Sequence, residues 1–89
     1  MKNEMAKLIA ALVALEIPHE VVEQFDFGTP QVWFPSYDNN TLDVICNDMS
    51  MGGKMGLLEM WDTEENEDPI GYLTATQVLE RILKKVLTD

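Results

Sequence analysis

The stretch 41–62, TLDVICNDMSMGGKMGLLEMWD, decides the fold because it joins two apolar segments through a glycine-rich loop. The segments 41–47 and 56–62 are short and rich in aliphatic and aromatic residues, which is typical of β-strands. The loop between them holds two glycines, and a third begins the second segment; glycine is the residue type that turns a chain most readily. Short strands joined by a short turn pair in antiparallel fashion. The stretch therefore predicts a β-hairpin at the centre of the chain.

The same loop places a lysine directly after two glycines, a pattern that raises the question of a phosphate site. A Walker-type loop requires a glycine five positions before its Gly-Lys pair and a Ser or Thr after the lysine. Those positions are Asp48 and Met55 here, and a strand, not a helix, is predicted to follow. We therefore expect Gly52, Gly53 and Gly56 to permit positive φ angles in a turn.

An amphipathic helix is predicted at each end of the chain. Apolar residues recur at helical spacing from residue 3 to residue 17, and Pro18 follows as a stop signal. Near the other end, Thr74 and Gln77 have the spacing of a capping box, in which each side chain bonds the other residue's backbone N–H. An apolar stripe follows this box, so the second helix is predicted over about residues 74–88.

Two further strands, over residues 19–27 and 31–35, are predicted between the first helix and the hairpin. A chain of 89 residues is sufficient for one domain, so we predict a single domain over residues 1–89. The two helices need a common apolar surface to cover. The predicted fold is therefore α+β, in the order α-β-β-β-β-α, with an antiparallel four-stranded meander and both helices packed on one face.

Alternation along the four predicted strands divides their side chains between two faces of the sheet. The face that the helices are expected to cover carries Val21, Phe25, Phe27, Val32, Phe34, Leu42, Val44, Cys46, Leu58 and Met60. The opposite face carries the apolar residues Val22, Trp33, Ile45, Leu57 and Trp61. An apolar centre with tryptophan anchors inside an acidic rim is typical of a protein-binding surface. An alternative is that the sheet curls and residues 70–73 cover part of this face.

The charge of the chain is strongly acidic and unevenly distributed. Sixteen carboxylates against six basic side chains give a net charge of −10, and Lys54 is the only basic residue between Lys7 and Arg81. The middle of the chain would repel a nucleic-acid backbone. We therefore expect no direct binding to nucleic acid.

The densest acidic segment is 62–68, with the carboxylates Asp62, Glu64, Glu65, Glu67 and Asp68. An EF-hand loop starting at its first residue would need glycine at the sixth position and glutamate at the twelfth. Those positions are Glu67 and Leu73. A solvated loop is therefore the favoured interpretation, and weak divalent-metal binding is the alternative.

The chain offers few candidates for catalysis. Its one cysteine, Cys46, alternates with apolar residues and is expected to be a core thiol. Nothing in the sequence pairs its one histidine, His19, with a nucleophile. A single cysteine excludes an internal disulfide and favours a reducing compartment. No apolar run is long enough to span a membrane, so we expect a cytoplasmic protein. Because no residue pattern indicates catalysis, we also expect no catalytic residues, metal or cofactor.

Three segments, LDVICND (42–48), GLLEMWD (56–62) and IGYLTATQVLERI (70–82), resemble a loose group of small proteins encoded by bacterial phages and prophage-like elements. The likeness covers roughly residues 17–83. In that group an aromatic residue is more frequent at the position of Met51. The resemblance implies a mobile genetic element as the context of the protein and implies no activity.

Three functions are consistent with these patterns. The first is a non-enzymatic protein-interaction module of phage origin, which binds a second copy as a homodimer or a host protein through the tryptophan-bearing face. The second is an acidic mimic of nucleic acid that inhibits a basic DNA-binding host enzyme. The third is a weak divalent-metal-binding domain built on the carboxylates of residues 62–68.

Overall fold

A computed structural model describes residues 3–24, 28–65 and 68–88 of the chain. Its elements are α1 (Glu4–Ala14), β1 (Glu20–Glu23), β2 (Pro30–Pro35), β3 (Asn40–Ile45), β4 (Leu58–Asp62), β5 (Ile70–Leu73) and α2 (Ala75–Thr88). The strands form one sheet in the order β1-β2-β3-β4-β5, and every neighbouring pair is antiparallel. The predicted α+β class and the antiparallel meander are therefore confirmed.

The sheet has five strands, so the prediction of four is wrong. Residues Ile70–Leu73 pair with β4 and extend the sheet sideways, instead of folding across one of its faces. The pairing shifts register between Leu58 and Met60, and Tyr72 has a positive φ of 60°. A strand of four residues with an irregular register lacks the alternation by which strands are recognised.

The first strand is shorter than predicted. The predicted strand covered residues 19–27, whereas β1 contains only Glu20–Glu23, all of them exposed. Val21 pairs with Val32 on the side of the helices, but it lies at the edge of the sheet and stays partly in solvent. Phe25 and Phe27 lie outside the described residues.

Both helices pack on the same face of the sheet, which we call the inner face. Its strand residues are buried together with residues of α1 and α2 in one cluster. The cluster consists of Met5, Leu8, Leu12, Ile17, Val32, Phe34, Leu42, Val44, Cys46, Leu58, Met60, Ala75, Val78 and Ile82. The molecule therefore has two layers, and no helix covers the other face of the sheet within the described residues.

Helix α1 ends three residues before the predicted limit of 3–17. It begins after Asn3, whose side-chain oxygen accepts a hydrogen bond of 2.7 Å from the backbone N–H of Met5. Its last residue is Ala14, and Glu16 adopts a left-handed φ of 55°. The chain thus leaves the helix before Pro18, because a residue in that conformation cannot continue it.

The predicted capping box at the start of α2 is confirmed. The N–H of Thr74 donates to the side-chain oxygen of Gln77 at 2.8 Å, and the N–H of Gln77 donates to the hydroxyl of Thr74 at 3.3 Å. The N–H of Ala75 donates to the Glu4 carboxylate at 2.9 Å. An acidic side chain from the first turn of α1 therefore stabilises the N-terminus of α2 and fixes the two helices relative to each other.

The glycine-rich loop turns the chain between β3 and β4, as predicted. Gly52 has φ 87° and Gly56 has φ 75°, and one turn of 3₁₀ helix, Gly53–Met55, lies between β3 and β4. Gly53 does not have a positive φ; it is needed because a Cβ there would lie 1.7 Å from the carbonyl oxygen of Asn47. Gly52 and Gly56 are thus needed for their conformation, and Gly52 and Gly53 for close packing.

Candidate binding face

The face of the sheet opposite the helices, which we call the outer face, carries two rows of paired side chains. In the first row Glu20 pairs with Trp33, Trp33 with Asp43, and Asp43 with Trp61. The second row contains Val22, Gln31, Ile45 and Glu59. The structure thus brings together four of the five predicted interface residues, namely Val22, Trp33, Ile45 and Trp61.

Leu57, the fifth predicted interface residue, lies at the margin of the outer face. It precedes β4, and its backbone N–H donates to the carbonyl of Gly52 at 3.0 Å. A Cβ added to Gly52 would lie 3.0 Å from the Leu57 Cβ. Leu57 therefore packs against the glycine-rich loop and is only partly buried.

The strand order determines how the two tryptophans are arranged. Trp33 on β2 and Trp61 on β4 both pair with Asp43 on β3, which lies between them. Trp61 is 44% exposed, and Trp33 is half-buried. The tryptophans are therefore neither adjacent nor at opposite edges of the sheet; they flank a carboxylate.

Tyr37, in the turn between β2 and β3, also belongs to this site. Its ring lies against the ring of Trp33 at a centroid distance of 5.3 Å and an interplanar angle of 85°, an edge-to-face arrangement. Its backbone N–H donates to the carboxylate of Glu20 at 3.1 Å. Alternation does not identify this residue, because it lies in a turn and not in a strand.

Met51 is a second residue of the site that the alternation pattern missed. Its backbone N–H donates to the Glu59 carboxylate at 2.8 Å, and its side chain lies where a Cβ on Gly71 would be. The glycine-rich loop thus returns to the sheet beside β4 and β5 and leaves Met51 partly exposed. Met51 extends the apolar surface beyond the strands.

Asp43 has an unusual environment for a surface carboxylate. The side-chain amide of Gln31 donates a hydrogen bond of 3.0 Å to it. Burial nevertheless raises the pKa of the Asp43 carboxyl above its ordinary value; the Gln31 bond opposes that rise, and the negative charge of Glu59 adds to it. No basic side chain of the described residues pairs with Asp43 to stabilise its ionised form.

The predicted acidic patch is divided by the fold. Asp62 is 0% exposed, because it alternates with Leu58 and Met60 onto the inner face. Its carboxylate oxygens form ion pairs with the guanidinium of Arg81 at 3.1 Å and with the ammonium of Lys85 at 3.0 Å. The expectation of a solvated loop is therefore wrong for Asp62.

The other carboxylates of the acidic patch have different positions. Glu64 is exposed and pairs with Lys85 at 2.6 Å. Glu65 and Asp68 are exposed, and Glu67 lies outside the described residues. No group of three or more His, Cys, Asp or Glu side chains in the described ranges is placed to hold a metal ion. The carboxylates nearest the helix layer thus bind basic side chains of the same chain.

The ion pairs of the described residues all lie on the helix side of the molecule. Lys7 pairs with Glu4 at 2.8 Å within α1, while Arg81 and Lys85 of α2 pair with the end of β4 and the turn after it. The outer-face carboxylates of Glu20, Asp43 and Glu59 pair with no basic side chain of the described residues, and no basic residue lies in either row. The outer face is therefore anionic.

A groove of about 640 Å³ lies at another part of the molecule, between the β2–β3 turn and the C-terminal part of α2. Its lining includes Pro35, Asn39, Glu65, Lys85 and Val86. The ammonium group of Lys85 is already bonded to two carboxylates. The groove thus offers mixed polar and apolar walls without an available cation from that lysine.

The single thiol is a core group, as predicted. Cys46 is buried, and its sulfur accepts a hydrogen bond of 3.4 Å from the Asn3 amide. Burial raises the pKa of this thiol, although the Asn3 bond opposes the rise. The imidazole of His19 donates to the carbonyl of Ile17 at 2.7 Å. Both hydrogen bonds stabilise the fold. Because burial raises its pKa, the Cys46 thiol has little thiolate character.

No protein-family model, curated protein or solved structure matches the chain. The resemblance to phage-encoded proteins therefore stays a prediction. Neither described helix combines the length and the apolar character that crossing a membrane requires.

Proposed function

We propose that the protein is a protein-interaction module that binds its partner through the outer face. The observation that carries the proposal is the pair Trp33 and Trp61 on a sheet face without a covering layer among the described residues. Tryptophan is among the residues most enriched at the energetic centres of protein interfaces. Large exposed apolar side chains grouped on one face are typical of docking surfaces.

The composition of the face also supports a protein partner. The apolar side chains of Val22, Ile45 and Trp61 lie among polar ones, and Val22 is 38% exposed. An apolar centre with a polar rim is the usual composition of interfaces between proteins that also exist separately. A phage setting, as the resemblance implies, would make a bacterial host protein the partner.

Mimicry of nucleic acid is a second candidate, favoured by one observation. The carboxylates of Glu20, Asp43 and Glu59 share one face without basic partners in the described chain. Such a face attracts basic DNA-binding proteins electrostatically. A complex of this kind weakens steeply with salt, whereas one held by the tryptophans persists at high salt.

The proposed function is tested by capture of partners from bacterial lysate with the tagged protein. We expect Trp61→Ala to lose the captured partner, because the exposed indole would be the anchor. Leu87→Ala is the matched control, since Leu87 is 81% exposed on α2, outside the outer face. Circular dichroism of each variant serves as the control for correct folding.

Trp33→Ala is the second variant of this test, and we expect the same loss of capture. Light scattering on each purified variant shows whether the partner is another copy of the chain. The proposal fails if both tryptophan variants keep every partner and the oligomeric state of the parent protein.

A further inference from the structure

The pairing of the strands determines which side chains lie on either side of Asp43 on the outer face. Neighbouring strands lie about 4.8 Å apart, so the backbones at Trp33 and Trp61 are separated by about 10 Å across β3. The position over Asp43 is therefore about 5 Å from the backbone of each tryptophan-bearing strand, and a cation is attracted to an aromatic ring over roughly 6 Å. The register thus places a carboxylate, with a tryptophan-bearing strand on either side of it, at the position where a cationic group of a partner would be seated.

Within the described residues, no basic side chain pairs with the carboxylates of the outer face. Lys7, Arg81 and Lys85 make their ion pairs on the helix side. Asp43 keeps a raised pKa because of burial and, further, the charge of Glu59. A partner that brings positive charge to this face would stabilise the ionised carboxylate.

We infer, on the basis of the proposed function, that the outer face binds an arginine-bearing segment of a protein, with one guanidinium over Asp43 between Trp33 and Trp61. The inference rests on two observations. The face is anionic, and Asp43 lies between Trp33 and Trp61 in the strand register. A guanidinium is planar, stacks on aromatic rings and donates in a fork to a carboxylate. An ammonium group is attracted to aromatic rings, but it is not planar and cannot donate in a fork.

A second copy of the chain is a poorer occupant of the same face. A two-fold interface brings the same patch of both copies together, so the face that carries Glu20, Asp43 and Glu59 would lie against an equally anionic face of the other copy. Opposed like charges destabilise such pairings. The homodimer expected from the apolar residues alone is therefore disfavoured at this face.

Two capped six-residue peptides with alternating valine test the inference, one carrying three arginines and one carrying three glutamates in the same positions. The two tryptophans of the chain both lie on the outer face, so their fluorescence reports binding there. We expect the arginine peptide to change the fluorescence saturably and the glutamate peptide to have no effect. A lysine peptide of the same pattern should bind more weakly than the arginine peptide.

Asp43→Asn is the decisive variant, and Glu80→Gln on the exposed side of α2 is its control with the same change in net charge. We expect Asp43→Asn to weaken binding of the arginine peptide about tenfold through loss of a charge-assisted bond. The control should bind like the parent protein. Asp43→Asn removes a carboxylate that burial destabilises, so its melting temperature should equal or exceed that of the parent.

Failure of the inference and failure of the proposed function have different signatures. The inference is overturned if the arginine peptide does not bind or binds Asp43→Asn equally well. Loss of lysate capture in Trp61→Ala would then still support the proposed function. A dimer in solution that Trp61→Ala dissociates would likewise overturn the inference and keep the outer face as an interface. Absence of both peptide binding and tryptophan-dependent capture would contradict both.

Discussion

Asp62 connects the sheet to α2 through ion pairs with Arg81 and Lys85. Burial alone would raise the pKa of this carboxyl, but the hydrogen bonds from Lys85 and Arg81 hold it below its ordinary value. The pKa of Lys85 is raised by Glu64 and Asp62 against the opposite effect of burial. Asp62 and Lys85 are therefore both ionised throughout the neutral range, and each charge stabilises the other.

We predict that Asp62→Asn destabilises the protein by about 3 kcal/mol, because removing the buried carboxylate leaves Arg81 without its ion-pair partner and Lys85 with Glu64 alone. Chemical denaturation measures the free energy of unfolding. Glu65→Gln, an exposed carboxylate in the following turn, is the control and should change it by less than about 0.5 kcal/mol. Equal stabilities of the two variants would show that the cluster contributes nothing.

The same substitution should alter the pH dependence of stability. A carboxyl whose folded pKa is lowered stabilises the fold above its ordinary pKa of 3.8, and this contribution is lost as pH falls through the lower folded value. Lys85 acts in the opposite sense, since its raised pKa gives a contribution that is lost only above 10.5. Asp62→Asn should therefore lose stability less steeply than the parent protein below pH 3.8.

The burial of Asp62 could be predicted from sequence only by following its alternation. Leu58, Met60 and Asp62 point to one side of the strand, whereas the five acidic residues of segment 62–68 suggested a solvated loop. The two partner cations are four residues apart on α2 and lie on one side of that helix. Sequence alone gives no means of pairing them with β4, because this contact depends on the packing of the layers.

At the scale of elements, the helices and the long strands follow directly from periodicity. The capping box of α2 is predictable because Thr74 and Gln77 interact locally. β5 was missed because its geometry depends on the neighbouring loop: the N–H of Tyr72 donates to the carbonyl of Met51 at 3.2 Å. A strand stabilised by contacts distant in sequence carries little local signal.

The glycine-rich loop provides a prediction for an element. Gly53→Ala should destabilise the protein by about 2 to 3 kcal/mol, since an added Cβ would displace the Asn47 carbonyl backbone. Gly28→Ala is the control: its φ is positive, but the space around it is open, so only a conformational cost of about 1 kcal/mol is expected. Thermal unfolding compares the two variants. A smaller loss for Gly53→Ala than for Gly28→Ala would contradict the packing role.

At the scale of the whole molecule, the two layers differ in electrostatic character. On the helix side, Lys7, Arg81 and Lys85 pair with Glu4, Asp62 and Glu64, while Asp43 and its neighbours on the outer face have no basic partners in the described chain. Alternation predicted four residues that share the outer face, Val22, Trp33, Ile45 and Trp61, because the period of a strand is fixed at two. It could not predict that Asp43 lies between Trp33 and Trp61, since strand order is a property of the complete sheet.

The most direct test of the outer face as a site for an arginine-bearing partner is chemical-shift mapping of the ¹⁵N-labelled protein during titration with the arginine peptide. We predict that the largest changes occur at the indole N–H signals of Trp33 and Trp61 and at the backbone amide of Asp43. The signals of α2 and of the groove beside Val86 should stay nearly constant. Changes concentrated on α2 or in that groove, with the indole signals unmoved, would contradict the assignment of the outer face as the binding site.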